Sequence, residues 1–407
     1  MATTLFKYQV RDRTGKLISG ELQAETEAAL VSRLRSMGYA PVSISQGNTG
    51  MQKEITIPGF GKKVKLKDLA IFSRQFATMI NSGLSLMRSL TILAEQTENP
   101  ELARLVGEVR NEVEAGNSLS VAMGKFPKVF PPLMVNLCRA GEIGGFLDTV
   151  LLQIAENYEA EVKLRSKIKS AMTYPVVVGC IALIALTVML TFVVPTFANI
   201  FASLGSKLPA PTQMLVDISH WMKYLIPAGI IGGIAGMIVW RRIRDLEKVR
   251  AFVDPLKLKV PVFGPLFQKV AIARFARNLG TMIKSGVPIL QALEIVADTT
   301  GNWTITQAVH DVQDSVRQGE ALTQPLSQHD VFPPMVVQMM AVGEDTGALD
   351  TMLAKIAEFY DQEVEATTES LTALIEPIMI AVLGGLVGGM IVCLYLPIFS
   401  VYNHIGS

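Results

Sequence analysis

The sequence predicts a mainly α-helical integral membrane protein with two repeated cytoplasmic helical-bundle domains, three transmembrane helices and a small α+β module at the N-terminus. Half of the 407 residues are hydrophobic and only 18% are charged, which favours membrane segments joined to water-soluble domains. Two further observations predict this fold class: three long runs contain no charged residue, and a set of glycine and proline landmarks occurs twice. The net charge of +1 indicates no general attraction to nucleic acid.

The duplication is visible in glycine and proline landmarks that keep their spacing. Val129-Phe130-Pro131-Pro132 recurs 202 residues later as Val331-Phe332-Pro333-Pro334. Upstream the offset is 203, so one residue is lost in the loop before the prolines. Other pairs are Ser82-Gly83 and Ser285-Gly286, Gly116 and Gly319, Gly141 and Gly343, and Pro195 and Pro397. This register predicts two copies of a unit in which soluble helices precede a membrane-length helix.

The first 50 residues predict a small ββαβ module. Two short strands, Leu5–Val10 and Lys16–Leu22, flank a turn, a helix follows Thr26, and Val42–Ile44 adds a third strand. Residues 1–10 hold no apolar signal-peptide core, so this end is expected in the cytoplasm. A basic linker at residues 51–67 leads to the first helical domain.

Residues 68–169 and 267–372 predict the two helical domains, because their apolar side chains follow helical spacing. Each domain ends in a long helix, and the segment before the first of these predicts a short helix that breaks at Gly141. A proline-rich linker at residues 241–266 precedes the second domain.

The predicted spans are residues 170–196, 223–240 and 373–402. As a helix, Met172–Pro195 would be about 36 Å long, enough for a hydrocarbon core of about 30 Å. Basic residues precede the first span and follow the second, whereas the hairpin at residues 197–222 holds few. The positive-inside rule therefore places both helical domains in the cytoplasm and the hairpin outside. The third span then leads outward to an external tail at residues 403–407.

Glycines at small-xxx-small spacing occur in the second and third spans. The pairs are Gly229 and Gly233, Gly232 and Gly236, Gly384 and Gly388, and Gly385 and Gly389. Such pairs permit close contact between helices in lipid, because no side chain holds the backbones apart. They are the candidate helix-packing residues, and small residues that simply face lipid are the alternative.

Patterns that carry catalysis are missing from the sequence. No Gly-Lys pair is followed by Ser or Thr, as a phosphate-binding loop requires. The four histidines lack ligand spacing and the three cysteines lie far apart. We therefore expect no enzyme activity, metal or cofactor. A small-solute transporter is disfavoured, since its spans usually carry ionisable residues along a path, and these have none between their ends; Glu376 lies at the cytoplasmic entry of the third span.

The remaining local motif is G-E-x-x-G-x-L-D-x-x-L, which occurs at Gly141–Leu151 and at Gly343–Leu353. Its glycines let the chain turn between helices, and its aspartate lies in a first helical turn, where a negative charge meets the helix dipole. The candidate carboxylates are Glu142, Asp148, Glu344 and Asp350. A structural role is favoured, and contact with a partner or a cation is the alternative.

Together with the Tyr395-Leu396-Pro397-Ile398-Phe399 ending, these landmarks resemble the F-type inner-membrane platform proteins of type II secretion and type IV pilus systems. The resemblance extends to the N-terminal module through Tyr8, Gly15 and Pro41. It implies a multi-pass scaffold of the inner membrane without catalysis of its own. The partners it implies are an assembly ATPase and also a retraction ATPase, pilins, other inner-membrane pilus alignment proteins, membrane lipid and further copies of the chain.

The ending resembles the pilus branch more than the secretion branch. We therefore expect a platform protein of a type IV pilus machine that couples the ATPase to pilin insertion or removal. The secretion-system counterpart is the alternative, and a transporter is a remote one.

Overall fold

The computed structural model describes residues 4–11, 17–24, 27–36, 39–46, 63–203, 209–244 and 246–405. The chain divides into two compact units, Met1–Lys63 and Val64–Ser407. The first unit holds an antiparallel sheet with the order β2-β1-β3 and a helix that buries Leu30 and Leu34. Its elements are β1 (Thr4–Arg11), β2 (Leu17–Ala24), α1 (Glu27–Ser36) and β3 (Ala40–Gln46).

The second unit begins with a helical domain that packs around buried phenylalanines. Phe130, from the Val-Phe-Pro-Pro segment, lies 6.1 Å from Phe72 between ring centroids, and Phe72 lies 5.7 Å from Phe76. Asn99 accepts hydrogen bonds from the backbone N–H groups of Glu101 and Leu102, and so caps a helix. The helices are α2 (Leu66–Asn81), α3 (Leu86–Gln96), α4 (Pro100–Glu114), α5 (Leu119–Gly124), α6 (Pro132–Gly144) and α7 (Leu147–Val188).

The second helical domain repeats this arrangement. Phe332 of the second Val-Phe-Pro-Pro segment packs 5.1 Å from Phe275, and Asn302 caps a helix as Asn99 does. The buried residues of both domains form one continuous apolar core. The helices are α11 (Gly264–Lys284), α12 (Ile289–Thr299), α13 (Trp303–Arg317), α14 (Thr323–Ser327), α15 (Pro334–Thr346) and α16 (Leu349–Ile405).

The last helix of each domain continues into the membrane without a break. Helix α7 runs on through a π-helical turn, Met189–Val193, into α8 (Val194–Ser203). Helix α16 extends over 57 residues, from the second domain through the third span. The backbone therefore stays helical through the change in composition near residue 170, where the first predicted span begins. Within the described ranges, three helices are long and apolar enough to cross a membrane.

The connections of the middle span differ from the predicted ones. Helix α9 occupies Ala210–Ile243, so the hairpin expected at residues 197–222 is helical over most of its length. Helix α10 (Glu247–Lys259) lies inside the expected linker at residues 241–266. The expected tail at residues 403–407 is helical as far as Ile405. Charged and polar residues suggested loops, but a helix that keeps one side in contact with its neighbours accommodates them.

The three spans meet at one end of the bundle. Leu190, Val194, Val216, Met390 and Leu394 form a small buried cluster there. Two hydroxyls of α9 donate hydrogen bonds to neighbouring backbones: Ser219 Oγ to the Leu190 carbonyl and Thr212 Oγ1 to the Cys393 carbonyl. These bonds fix α9 at the end where it was expected to be a loop.

Candidate functional site

The motif that occurs twice lies where α6 meets α7 and where α15 meets α16. A Cβ atom added to Gly141 would lie 3.1 Å from Cα of Leu147, and one added to Gly343 would lie 2.9 Å from Cα of Leu349. The first glycine thus allows two helices to approach closely. The expectation that the helix breaks at Gly141 is wrong, since α6 continues to Gly144.

The second glycine of the motif makes the turn. Gly145 and Gly347 have φ angles of 74° and 71° and cap α6 and α15 in the left-handed conformation. A residue with a side chain rarely adopts this conformation, and helices commonly end on a glycine for that reason. The two glycines of the motif therefore have different tasks, one for packing and one for the turn.

The glutamates of the motif bind the backbone of a short helix in their own domain. The Glu142 carboxylate accepts hydrogen bonds from the N–H groups of Leu119 and Ser120, the latter at 3.1 Å. The Glu344 carboxylate accepts one from the N–H of Leu322 at 2.9 Å. Each glutamate thus supplies an acceptor to N–H groups at a helix start that have no partner inside the helix.

The aspartates of the motif lie in the first turns of α7 and α16. Asp148 is exposed, and Asp350 is half-buried beside a cleft described below. Their charge faces the positive end of a helix dipole in both copies. In the part of the chain that the structure describes, no group of three or more His, Cys, Asp or Glu side chains is placed to hold a metal ion.

An ion pair that occurs in both domains was missed in the sequence. Arg74 on α2 donates to both carboxylate oxygens of Glu159 on α7, at 2.7 and 2.6 Å. Its hydrogen bond to Glu159 raises the pKa of Arg74, and the same bond lowers the pKa of Glu159. At the equivalent position, Arg277 on α11 contacts both oxygens of Asp361 on α16 through a single nitrogen, Nη2. A comparison of charged residues at the offsets of the repeat, 203 for Arg74 and Arg277 and 202 for Glu159 and Asp361, would have found this pair in the sequence.

Polar side chains join the two domains along α7. Gln153, Asn157 and Glu161 follow one another at intervals of four residues, all buried, and each contacts α11. Ser285 Oγ donates to Gln153 Oε1, Asn157 Nδ2 donates to Asn278 Oδ1 at 3.0 Å, and Arg274 forms an ion pair with Glu161. This polar ladder, formed by the six residues just named, lies in the middle of an otherwise apolar core.

Glu161 is the charged member of the polar ladder. It lies 2.7 Å from Arg165 Nε on its own helix and 2.7 Å from Arg274 Nη2 of the second domain. Burial by itself raises the pKa of this carboxyl, but the charges of Arg274 and Arg165 outweigh burial and hold it below its ordinary value. Glu161 therefore ties the two domains together as an anion.

The two copies differ at the positions of the polar ladder. The α16 residues equivalent to Gln153, Asn157 and Glu161 are Lys355, Phe359 and Glu363. Phe359 is 41% exposed, so this side of α16 is not covered as the side of α7 is. Divergence between the copies along one helix face was a sequence signal for the domain junction.

A cleft of about 620 Å³ opens beside the ladder, between α7, α11 and α16. Charged side chains of both signs line it, and several are paired, among them Lys167 with Glu365 across the domains and Arg277 with Asp361 within the second. Because residues of both domains line the cleft, a displacement of one domain against the other would change its shape.

The glycines predicted for helix packing face open space. A Cβ atom added to Gly229, Gly233, Gly384, Gly385, Gly388 or Gly389 would meet no described atom within 4 Å. The apolar windows of the three span helices are also hardly buried, at 6%, 0% and 11%. These glycines therefore pack no helix of the same chain, and their use would need a neighbour in the membrane.

Comparison with known families identifies the repeat. A family model described as type II secretion system, protein F, matches residues 72–195 and again residues 275–397. A second model, described as the N-terminal domain of type II secretion system protein F, matches residues 1–45. The chain belongs to the type II secretion system protein F family. The resemblance drawn from the sequence is confirmed.

Relatives in the family match along nearly the whole chain. A type IV pilus assembly protein PilC from Myxococcus xanthus is 46% identical over 99% of this chain and 96% of its own length. A protein of the same name from Thermus thermophilus is 42% identical over 98% of both chains. A type II secretion system protein F from Vibrio cholerae is 31% identical over 98% of both.

The two protein F matches explain the architecture. Each covers the helices of one domain together with the span that continues its last helix. Helix α9 lies between the matches, so the middle span joins the two family units and belongs to neither.

Proposed function

We propose that this member of the protein F family is the inner-membrane platform protein of a type IV pilus machine. The observation that carries the proposal is the order of identities. Four relatives named for type IV pilus assembly are 38–46% identical at 92–99% coverage of this chain, and one named for type 4 fimbrial assembly is 32% identical, whereas those named for type II secretion are 31% identical. The secretion counterpart is the second candidate, because both groups share the fold.

The platform couples a cytoplasmic assembly ATPase to pilins in the membrane. The energy comes from a separate protein, since this sequence lacks a phosphate-binding loop. Helices α7 and α16 are unbroken between the helical domains and the lipid, and 42 helical residues of α7 span about 63 Å. A continuous helix of this kind carries a movement of its domain into the membrane, although Pro175 and Pro377 each remove a backbone hydrogen bond from their helix.

The proposed orientation places the N-terminus and both helical domains in the cytoplasm and the C-terminus outside. Arg241 and Arg242 at the end of α9 support it, together with the basic residues before the first span. In this orientation both domains face a cytoplasmic motor, and a retraction ATPase would use the same side.

The open glycine faces of α9 and α16 are the proposed contact sites within the membrane. Backbones can approach closely at Gly384 and Gly388, so a pilin helix or a span of another copy fits there. The motif glutamates are proposed as structural caps for their domains, because their carboxylates already bind backbone N–H groups. Other pilus alignment proteins of the inner membrane complete the proposed partners.

The experiment is complementation of a strain from which the gene has been deleted. The proposal predicts that surface pili are lost and return with the intact gene, and that crosslinking joins this protein to the assembly ATPase and to a pilin. Normal pili in the deletion strain, with loss of a secreted enzyme instead, would favour the secretion counterpart. Flux of a small solute in vesicles that hold the purified protein would instead revive the transporter reading.

A further inference from the structure

Helix α10 is held at the level of the membrane surface at both ends. It begins at Glu247, four residues after Ile243, where α9 ends, and four residues reach about 14 Å at most. Beyond its other end, Phe263 and Leu266 pack with Leu164 and Leu371, which precede the first and third spans. The 13 residues of α10 therefore run for about 20 Å beside the bilayer.

The sides of α10 are reversed relative to a helix in water. Asp254 faces the protein: it is 4% exposed, accepts the Trp303 backbone N–H at 3.0 Å and binds Lys257 Nζ at 2.8 Å. Phe252, one of the most exposed large apolar residues, is 75% exposed, and Leu256, one turn later, is 55% exposed. A charged group inside and an aromatic ring outside indicate that the outer side does not face water.

The apolar strip continues beyond α10 and has basic residues along one edge. Val260 and Val262 are also exposed, and at 100° per residue Lys248 and Lys259 lie about 40° and about 20° to the same side of Phe252, whereas Leu256 lies on its other side. Apolar side chains bordered by lysines are typical of helices that lie in the membrane interface and bind anionic lipid. The bilayer is the surface nearest to this strip. The helix of the second span ends four residues before α10 begins. Leu266, beyond the other end of α10, packs against residues that lie just before the first and third spans.

We propose that α10 is an interfacial helix that inserts Phe252 and Leu256 among anionic phospholipids. The second helical domain is then held on the membrane by a surface helix in addition to α16. This anchor limits its movement to directions along the bilayer, and it does not depend on which machine the protein serves.

The test uses the full chain in lipid vesicles, with a polarity-sensitive fluorophore at position 252. Cys180 and Cys393 are replaced by Ala, while Cys138 stays, because it is fully buried and burial raises the pKa of its thiol. The variant is Phe252→Cys. The matched control is Ile143→Cys, since Ile143 is 82% exposed and lies before α7, about 35 Å along that helix from the first span.

In phosphatidylglycerol-containing vesicles with brominated acyl chains, the label at position 252 should shift to shorter wavelength and be quenched. The label at position 143 should do neither. Lys248→Glu combined with Lys259→Glu should reduce the shift in phosphatidylglycerol and leave it unchanged in phosphatidylcholine. Equal, water-like spectra at positions 252 and 143 would overturn the proposal. A shift that vanishes when the protein is diluted in lipid would also overturn it, because a second copy would then be covering α10.

Discussion

The close contact at Gly343 gives a prediction that can be worked out in numbers. In Gly343→Ala, the new Cβ would lie 2.9 Å from Cα of Leu349 and 3.0 Å from Cγ of Met352. Cα of Leu349 belongs to the backbone and cannot rotate away, so α15 and α16 must separate. Overpacking of this kind costs about 1–3 kcal/mol, against a gain of about 1 kcal/mol for alanine over glycine in a helix.

We expect a net loss of up to about 2 kcal/mol in the free energy of unfolding, which lowers the melting temperature by about 2–4 °C per kcal/mol for a unit of roughly 200 residues. The matched control is Gly107→Ala in α4, where a Cβ meets no described atom within 4 Å and stability should rise by up to about 1 kcal/mol. The measurements are thermal unfolding by circular dichroism in detergent and the half-life under thermolysin. Gly343→Ala as stable as Gly107→Ala would refute the packing argument.

Three further predictions follow from the caps, the ladder and the spans. Glu142→Ala should lower the free energy of unfolding by about 1–2 kcal/mol, as loss of a helix cap does, and should speed thermolysin cleavage near α5. If stability is unchanged but the protein no longer pulls down the ATPase, Glu142 is a contact residue instead. Because the folded-state pKa of Glu161 is lowered, its stabilisation is present above the ordinary carboxyl pKa and is lost as pH falls through the folded value. Glu161→Gln should therefore reduce the fall in the free energy of unfolding that is measured between about pH 7 and pH 3. If the fall is unchanged, other titrating groups cause it. Gly385→Leu should reduce crosslinking between copies or to pilin while the melting temperature of the helical domains stays the same, and unchanged crosslinking and pili would remove the packing role of this glycine.

The repeated landmarks predicted the domain architecture because their residue types have few structural uses. Phe130 and Phe332 anchor the two cores, and Gly145 and Gly347 have the left-handed conformation that glycine favours. Gly141 was misread as a helix break, because a helix–helix approach and a turn both select glycine. Only the position of Leu147 in space separates the two uses.

The polar ladder and the outward face of α10 could not be read from periodicity alone. Gln153, Asn157 and Glu161 have the spacing of a solvated helix side, and the second domain buries that side. Likewise Phe252 would be assigned to a core by its type, although it is 75% exposed. In both cases the environment is set by a partner element distant in sequence, which a local pattern does not contain.

We propose that motor movement reaches the membrane through the continuous helices α7 and α16, so an interruption of α16 should stop pilus assembly. A Gly-Ser-Gly insertion after Thr372 separates the second helical domain from the third span, and the same insertion after Gly116, in the turn that follows α4, is the control. Pili per cell are counted at matched levels of membrane-inserted protein. We predict that the insertion in α16 abolishes pili and that the control retains them; normal pili with α16 interrupted would contradict the account.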